Sequence, residues 1–399
     1  MRNIFIVILL FFTTFCFSQS AQLAYSYYRK GEYEKASVIY KQLHDKNPIR
    51  RDYFKRLLTC YQLTDKFQES TDLLTAQRTF FPEQAYLNVE IGYNLQLQKK
   101  KELATPYYIA ALQSIEANPN TGYLIGKAFQ DNHLLDYALK AYRRSMDLNP
   151  NLNYDAYIAF IYGEKGEVEN MFNAYLNMID KNPSYYSTVQ RYAGRFLTDD
   201  SLDSNNSTFR KLLLKRLQTN PNDSWNKLLS WLYMQQKDYS KALTQEKAIY
   251  LRNRESLERI IEVGDVAFNN SDYETTKNAF NYVLDNTSDQ NLQLEAQLYV
   301  LQSNIETASS KDELNDIELK FQQLFEQYGV NSNTVDIQVA YADFLTFKKD
   351  DPEQAISILK EALHKTTSEF EKGEVKIKLA DVLVYTLSLI HISEPTRLQ

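Results

Sequence analysis

Three histidines, one cysteine and two aspartate pairs are the side chains of this sequence whose types suit chemistry. His44, His133 and His364 lie far apart along the chain, and none has a second ligand at the spacing a zinc site uses. The fourth histidine, His391, falls in the C-terminal tail. Cys60 follows Thr59 with no histidine near it in sequence, so it reads as a buried structural thiol, since a nucleophile needs neighbours that favour the thiolate. Asp199-Asp200 and Asp350-Asp351 stand in stretches of turn composition, where aspartate is favoured because its carboxylate bonds to nearby backbone N–H groups. No G-x-S-x-G elbow and no phosphate-binding glycine loop occurs. These residues point to no catalysis, no cofactor and no metal. A net charge of −6 supplies no basic footprint for nucleic acid. Function is therefore expected in binding, and the elements that would position a binding surface become the question.

Those elements are set out by residues 20–48. Leu23, Ala24, Tyr27 and Tyr28 recur at the spacing of one helix face. Gly31 breaks that helix, because glycine accepts a left-handed backbone at little steric cost. Tyr33, Ala36, Ile39, Tyr40 and Leu43 line a second helix, which Asn47-Pro48 ends. Ala24 and Ala36 are small where the two axes would cross, and Tyr27, Tyr33 and Tyr40 fill the space around them. The pattern then returns every 34 residues: Leu58, Tyr61, Phe67, Ser70, Leu74 and Pro82; Gly92, Leu95, Ala104 and Tyr108; Gly126, Phe129, Ala138, Tyr142 and Pro150. A fifth unit slips by one, with Ala159, Tyr162, Gly166, Met171, Tyr175 and Pro183.

This unit resembles the tetratricopeptide repeat, a helix–turn–helix of that length. The family's small eighth residue, aromatic eleventh, glycine at fifteen, alanine at twenty, aromatic at twenty-four and proline at thirty-two match Ala24, Tyr27, Gly31, Ala36, Tyr40 and Pro48. Its common tryptophan at the fourth position is replaced by Ser20. The expected fold is all-α, a right-handed superhelical solenoid of about ten such pairs plus one orphan helix, as the resemblance implies. Residues 19–183 hold repeats one to five. Residues 184–221 form a degenerate unit and a candidate hinge, with helices over Tyr185–Leu197 and Phe209–Gln218 around the polar loop Asp199–Ser207. Residues 222–386 return to pattern through Ser230, Tyr233, Tyr239 and Ala242, then Gly264, Ala267, Tyr273, Thr276 and Phe280. Asn291–Tyr328 is longer, with a second helix at Glu313–Tyr328. Val335–His364 is regular, and Asp351-Pro352 reads as an N-cap and first helical position.

Both ends carry expectations of their own. Residues 1–18 read as a secretory signal peptide: Arg2, an apolar core from Ile4 to Phe12, and cleavage after Ser18. The apolar run is short for a membrane span, and Phe15 is too bulky before a lipidated Cys16. Removing the segment leaves Cys60 alone, so no intrachain disulfide is expected. The style of signal and composition resembles that of flavobacterium-like bacteria, which places the chain in the periplasm or cell envelope. Residues 387–399 (LSLIHISEPTRLQ) resemble the translation of a sequencing-library adapter, so a truncated gene is expected, with Lys378–Thr386 as the first helix of an unfinished repeat.

In the family, ligands contact the inner face through positions two, five, nine, twelve and thirteen of the first helices. Carried across, that frame implies a groove lined by Tyr25, Tyr28, Arg29, Lys55, Gln62, Tyr86, Tyr93, Gln96, Tyr123, Lys127, Gln130, Phe160, Trp231 and Met234. Tyrosine, arginine and tryptophan are types enriched in protein-binding hot spots, and an extended peptide or partner helix is the expected occupant. The family's carboxylate clamp wants Lys then Asn at positions five and nine; Ala21 with Tyr25 and Lys55 with Thr59 do not match it. The expected function is a non-catalytic scaffold that binds a protein or peptide partner. Two alternatives stand beside it: the extracytoplasmic region of a sensor whose membrane anchor and output domain lie beyond Thr386, and a glycan-capturing repeat protein.

Overall fold

A computed structural model describes residues 20–393, with side chains to residue 387, so the expected signal peptide and the last six residues of the expected foreign tail lie outside the described residues. Among the described residues every regular element is helical. The chain forms two compact units that divide between Tyr185 and Tyr186. In the first unit, α1 (residues 20–29) pairs with α2 (Tyr33–Lys46), α3 (Arg51–Leu63) with α4 (Phe67–Phe80), and α5 (Tyr86–Leu97) with α6 (Lys101–Ala117). α7 (Gly122–Asp131) then pairs with α8 (Leu135–Leu148), and α9 (Asp155–Glu164) with α10 (Val168–Lys181). In the second unit the order is α11 (Tyr186–Ala193), α12 (Ser204–Thr219), α13 (Asp223–Gln235), α14 (Tyr239–Asn253), α15 (Glu258–Asn269), α16 (Tyr273–Asn286), α17 (Gln290–Thr307), α18 (Lys311–Tyr328), α19 (Val335–Phe347), α20 (Pro352–Lys365) and α21 (Glu369–Ser393).

The periodic small residues do what their spacing demands. Ala24, Ala159 and Ala342 on first helices are fully buried, as are Ala36, Ala104, Ala138, Ala242 and Ala355 on second helices. Where the eighth position is glycine the approach is closer still. A Cβ placed on Gly92, Gly126 or Gly264 would stand 2.5, 2.4 or 2.8 Å from a ring carbon of Tyr108, Tyr142 or Phe280. These rings are buried and form the core between the paired helices.

The turns inside the pairs share one backbone motif. In seven of them an amide reaches back five residues to a carbonyl: Glu32 to Tyr27, Lys66 to Tyr61, Lys100 to Leu95, Leu134 to Phe129, Glu167 to Tyr162, Asp238 to Tyr233 and Asp272 to Ala267, all at 2.8–3.0 Å. This is the long bond of a Schellman cap, which satisfies a carbonyl orphaned at a helix end and requires a left-handed residue just before it. Gly31 and Gly166 supply it at φ +75° and +71°. Asp65, Lys99, His133, Lys237 and Ser271 hold the same conformation without being glycine.

Four boundaries differ from the sequence expectation. α11 ends at Ala193, not Leu197, because the Phe196 amide bonds to the Ala193 carbonyl three residues back and the chain turns. α12 starts at Ser204, within the stretch expected to be loop. The Asp203 carboxylate caps it by accepting from the Asn205 and Asn206 amides, and the buried Asn206 side chain bonds to the Thr198 and Asp200 carbonyls. The last element is one helix from Glu369 to Ser393, longer than Lys378–Thr386, since Val375 and Val382 bury one face along it. At α18 the Ser310–Glu313 capping box moves the start back to Lys311.

Candidate binding groove

In the first unit the first helices α1, α3, α5 and α7 line a cavity of about 400 Å³. Tyr28, Lys55, Gln62 and Tyr93, four of the expected groove residues, stand on its wall. Helical periodicity explains the convergence. Lys55 and Gln62 are two turns apart on α3, and Tyr93 on α5 sits one repeat along from Thr59, which also lines the cavity.

The charges at this wall are spent on one another. Lys55 Nζ lies 2.6 Å from the Asp131 carboxylate and 3.5 Å from Glu90 Oε1. Lys127 binds the other Asp131 oxygen. Asn132 Nδ2 donates to Glu90 Oε2 at 3.2 Å. Burial alone would push the Asp131 carboxyl up, but the bonds from Lys127 and Lys55 outweigh it and hold the group below the usual carboxylate range. Glu90 is 2% exposed, so its pairing with Lys55 is what makes a carboxylate there tolerable.

Other polar groups are unspent. Gln62 is only 9% exposed, yet its Nε2 has no hydrogen-bond partner among the described residues. Arg56 donates Nη1 to the Tyr40 hydroxyl at 3.1 Å and holds its guanidinium 4.5 Å over the Tyr25 ring. No carboxylate pairs with Arg56 among the described residues. Tyr28 meets Tyr33 and Tyr40 edge to face at 5.5 and 6.3 Å, and burial pushes its phenol up. The groove thus offers two aromatic side chains, a buried amide donor and a preoriented guanidinium.

The remaining expected residues are placed differently. Arg29 and Tyr25 are exposed on α1. Phe160 is 54% exposed on α9. Gln96 and Gln130 accept hydrogen bonds from the Tyr108 and Tyr142 hydroxyls at 3.1 and 3.2 Å, which ties them to their own helix pairs. Tyr123 packs against Tyr154 and Tyr157, at 6.2 and 5.4 Å. Tyr86 is a correction: it is 3% exposed, beneath Arg51 at 4.1 Å, and belongs to the core between α3 and α5. Trp231 and Met234 lie on α13 in the second unit and do not line this cavity. Glu90, Asp131 and Arg56 were missed by the sequence frame. Asp131 carried a readable signal, since it stands at position thirteen of the fourth repeat.

The expected catalytic absences meet related geometry. Cys60 is buried and unpaired, and burial pushes its thiol up to about 12, far from a reactive thiolate. His133 is the left-handed turn residue between α7 and α8. Among the described residues no group of three His, Cys, Asp or Glu side chains is placed to hold a metal, and no helix is long and apolar enough to cross a membrane.

No family model and no curated protein matches the sequence. Solved structures do. Yeast Tom70 aligns over 92% of this chain and 96% of its own at 11% identity and a TM-score of 0.30. A tetratricopeptide repeat protein from Parabacteroides merdae aligns over 75% of this chain and 99% of its own, at 16% identity and 0.27. The P58(IPK) tetratricopeptide domain covers 93% and 98%, at 10% identity and 0.26.

Proposed function

We propose that the protein, a helical array of tetratricopeptide architecture whose turns repeat one Schellman cap and whose crossings repeat one small-under-aromatic contact, is a non-catalytic scaffold that binds a protein segment in the groove of its first unit. The observation that carries this reading is the convergence of Tyr28, Lys55, Gln62 and Tyr93 on one cavity, with a buried Gln62 amide left without a partner. A buried donor that gains no bond loses its hydration for nothing, about 1–3 kcal/mol. A peptide carbonyl in the groove would repay that loss, and the faces of Tyr28 and Tyr93 would add aromatic contact area.

The reading includes export. Residues 1–18 serve as a cleaved signal, the mature chain starts at Gln19 and works in the bacterial periplasm or envelope, and residues 387–399 are foreign to the native gene. No metal, cofactor or nucleic acid takes part. Sequencing the N-terminus of the protein recovered from a periplasmic fraction tests the first point; an intact Met1 would reject it. The groove is tested by comparing partners cross-linked to the wild-type chain with those of Tyr93→Ala and Lys127→Ala chains. Loss of one specific partner with unchanged helical content is expected, and equal recovery would reject the groove.

A further inference from the structure

At the joint between the fourth and fifth helix pairs, two donors converge on one sulfur. The Tyr154 amide, just ahead of α9, donates to Met146 Sδ at 3.3 Å. Lys181 Nζ, at the end of α10, donates to the same atom at 3.4 Å. Neither donor is well served, because a thioether is a weak acceptor. The Tyr154 amide has no other bond among the described residues. Tyr154 is 8% exposed, and its ring packs against Tyr142 and Tyr123 at 5.4 and 6.2 Å, which holds its backbone in place beside the sulfur.

The sulfur is also within reach of solvent. Of the five methionines, Met1 lies outside the described residues, Met171 and Met178 are buried, and Met146 and Met234 are half-buried. Lys181, whose amine stands beside the Met146 sulfur, has 38% of its side chain exposed. The same amine lies 2.7 Å from Asp155 Oδ2, and Asp155 is buried, so the ammonium is anchored where it stands. No donor meets the Met234 sulfur among the described residues. Met146 thus combines access with waiting donors, and no other described methionine has both.

We propose that Met146 is a site of reversible oxidation, and that the joint between α8 and α9 is built to hold its sulfoxide. The oxidant is a peroxide. The sulfur lone pair takes one peroxide oxygen, the O–O bond breaks, the proton on the transferred oxygen passes to the departing hydroxide, and water leaves. Sulfur loses two electrons and the peroxide gains them. A dithiol reductase reverses the step: the oxygen leaves as water and the dithiol closes to a disulfide. Oxidation of a methionine ordinarily puts a polar oxygen where the packing has no partner for it. Here the new oxygen, a far stronger acceptor than the sulfur, meets an amide and an ammonium already aimed at the site. Lys181 has three N–H donors, so it bonds that oxygen and keeps Asp155. Oxidation therefore tightens the joint. Met146, Tyr154 and Lys181 do not line the groove, so the inference stands apart from ligand binding there.

The test treats the full chain with dilute hydrogen peroxide and reads each methionine by peptide mass spectrometry. Met146 and Met234 are expected to gain one oxygen while Met171 and Met178 stay reduced. A Met234→Leu background then isolates Met146. In that background oxidation should leave the melting temperature unchanged or raised, and should slow hydrogen exchange at the Tyr154 amide several-fold. Adding Lys181→Met/Asp155→Asn removes the ammonium without stranding a charge, and oxidation of that chain should lower its melting temperature. Each chain is compared with its own reduced form, so a change in basal stability does not enter. Met146 staying as reduced as Met171, Tyr154 exchange that is unchanged or faster, or the same shift in melting temperature with and without Lys181 would overturn the proposal.

Discussion

Replacing Gly126 by alanine isolates the contact on which the array's packing depends. A methyl there would stand 2.4 Å from one carbon of the Tyr142 ring and 2.7 Å from two more. The ring has nowhere to go: Tyr142 is fully buried and packs against Tyr154 and Tyr157, each at 5.4 Å. Helices α7 and α8 must therefore separate. Overpacking of this kind costs about 1–3 kcal/mol, with the upper part of that range apt for a ring held on several sides. Alanine also gains about 1 kcal/mol of helix propensity over glycine. The net expectation is a loss of about 1–2 kcal/mol. Gly373 provides the matched control, because it lies in α21 with a helical backbone and nothing within 4 Å of a new Cβ. Gly373→Ala should gain the propensity term undiluted, about 1 kcal/mol. Urea midpoints followed by circular dichroism give the signs. Hydrogen exchange over α7 and α8 shows whether the loss is local, as nearest-neighbour coupling in a repeat array requires. A Gly126→Ala chain as stable as Gly373→Ala would refute the close-approach account.

Three further outcomes follow from other positions. His133→Gly should stabilise the chain by roughly 0.5–1 kcal/mol by relieving the left-handed turn residue, and a lower urea midpoint would show that the histidine side chain holds the turn. His44 is buried against Phe54 with Nδ1 unpartnered, and burial holds its imidazole below the ordinary 6.5. The unfolded chain then takes up a proton that the folded chain resists, so stability present above pH 6.5 is lost as pH falls through it. His44→Leu should remove that part of the slope in urea titrations between pH 7 and 5, and an unchanged slope would count against it. Arg259 grips the buried Glu246 carboxylate with two bonds of 2.6 and 2.7 Å. Arg259→Ala strands that charge and should cost about 3 kcal/mol, most of which Arg259→Ala/Glu246→Leu should restore; equal losses in both would assign the effect to packing.

The helix pairs were legible because their signal is local and repeated. Small residues at Ala24, Gly92, Gly126, Ala159 and Gly264 meet large ones sixteen positions on, and the spacing alone announces the crossing. The turns were only half legible. Gly31 and Gly166 advertise a left-handed position, whereas Asp65, Lys99 and His133 hold the same geometry through the Schellman bond without the glycine that would mark it. The groove residues Tyr28, Lys55, Gln62 and Tyr93 followed from the repeat frame, but Tyr86 did not belong with them, because the frame says which way a position faces and not whether an arginine covers it. The pairing of Lys55 with Asp131 spans 76 residues and two repeats, a distance over which no local pattern speaks.

How the groove of the first unit handles charge sets what it can select. In the first unit a ligand that seeks the lysines must compete with bonds they already make, since Lys55 and Lys127 are tied to Asp131 or Glu90, whereas the Arg56 guanidinium on the same wall has no carboxylate partner among the described residues. Opening the Lys55 pair strands a carboxylate that is 2% exposed, at a cost of about 3–5 kcal/mol, which is most of the free energy of a millimolar complex. Discrimination there falls to the aromatic faces, the Gln62 amide and the Arg56 guanidinium. A partner that keeps its affinity in both Gln62→Ala and Arg56→Ala chains, yet loses it in Lys55→Ala at unchanged helical content, would contradict that assignment.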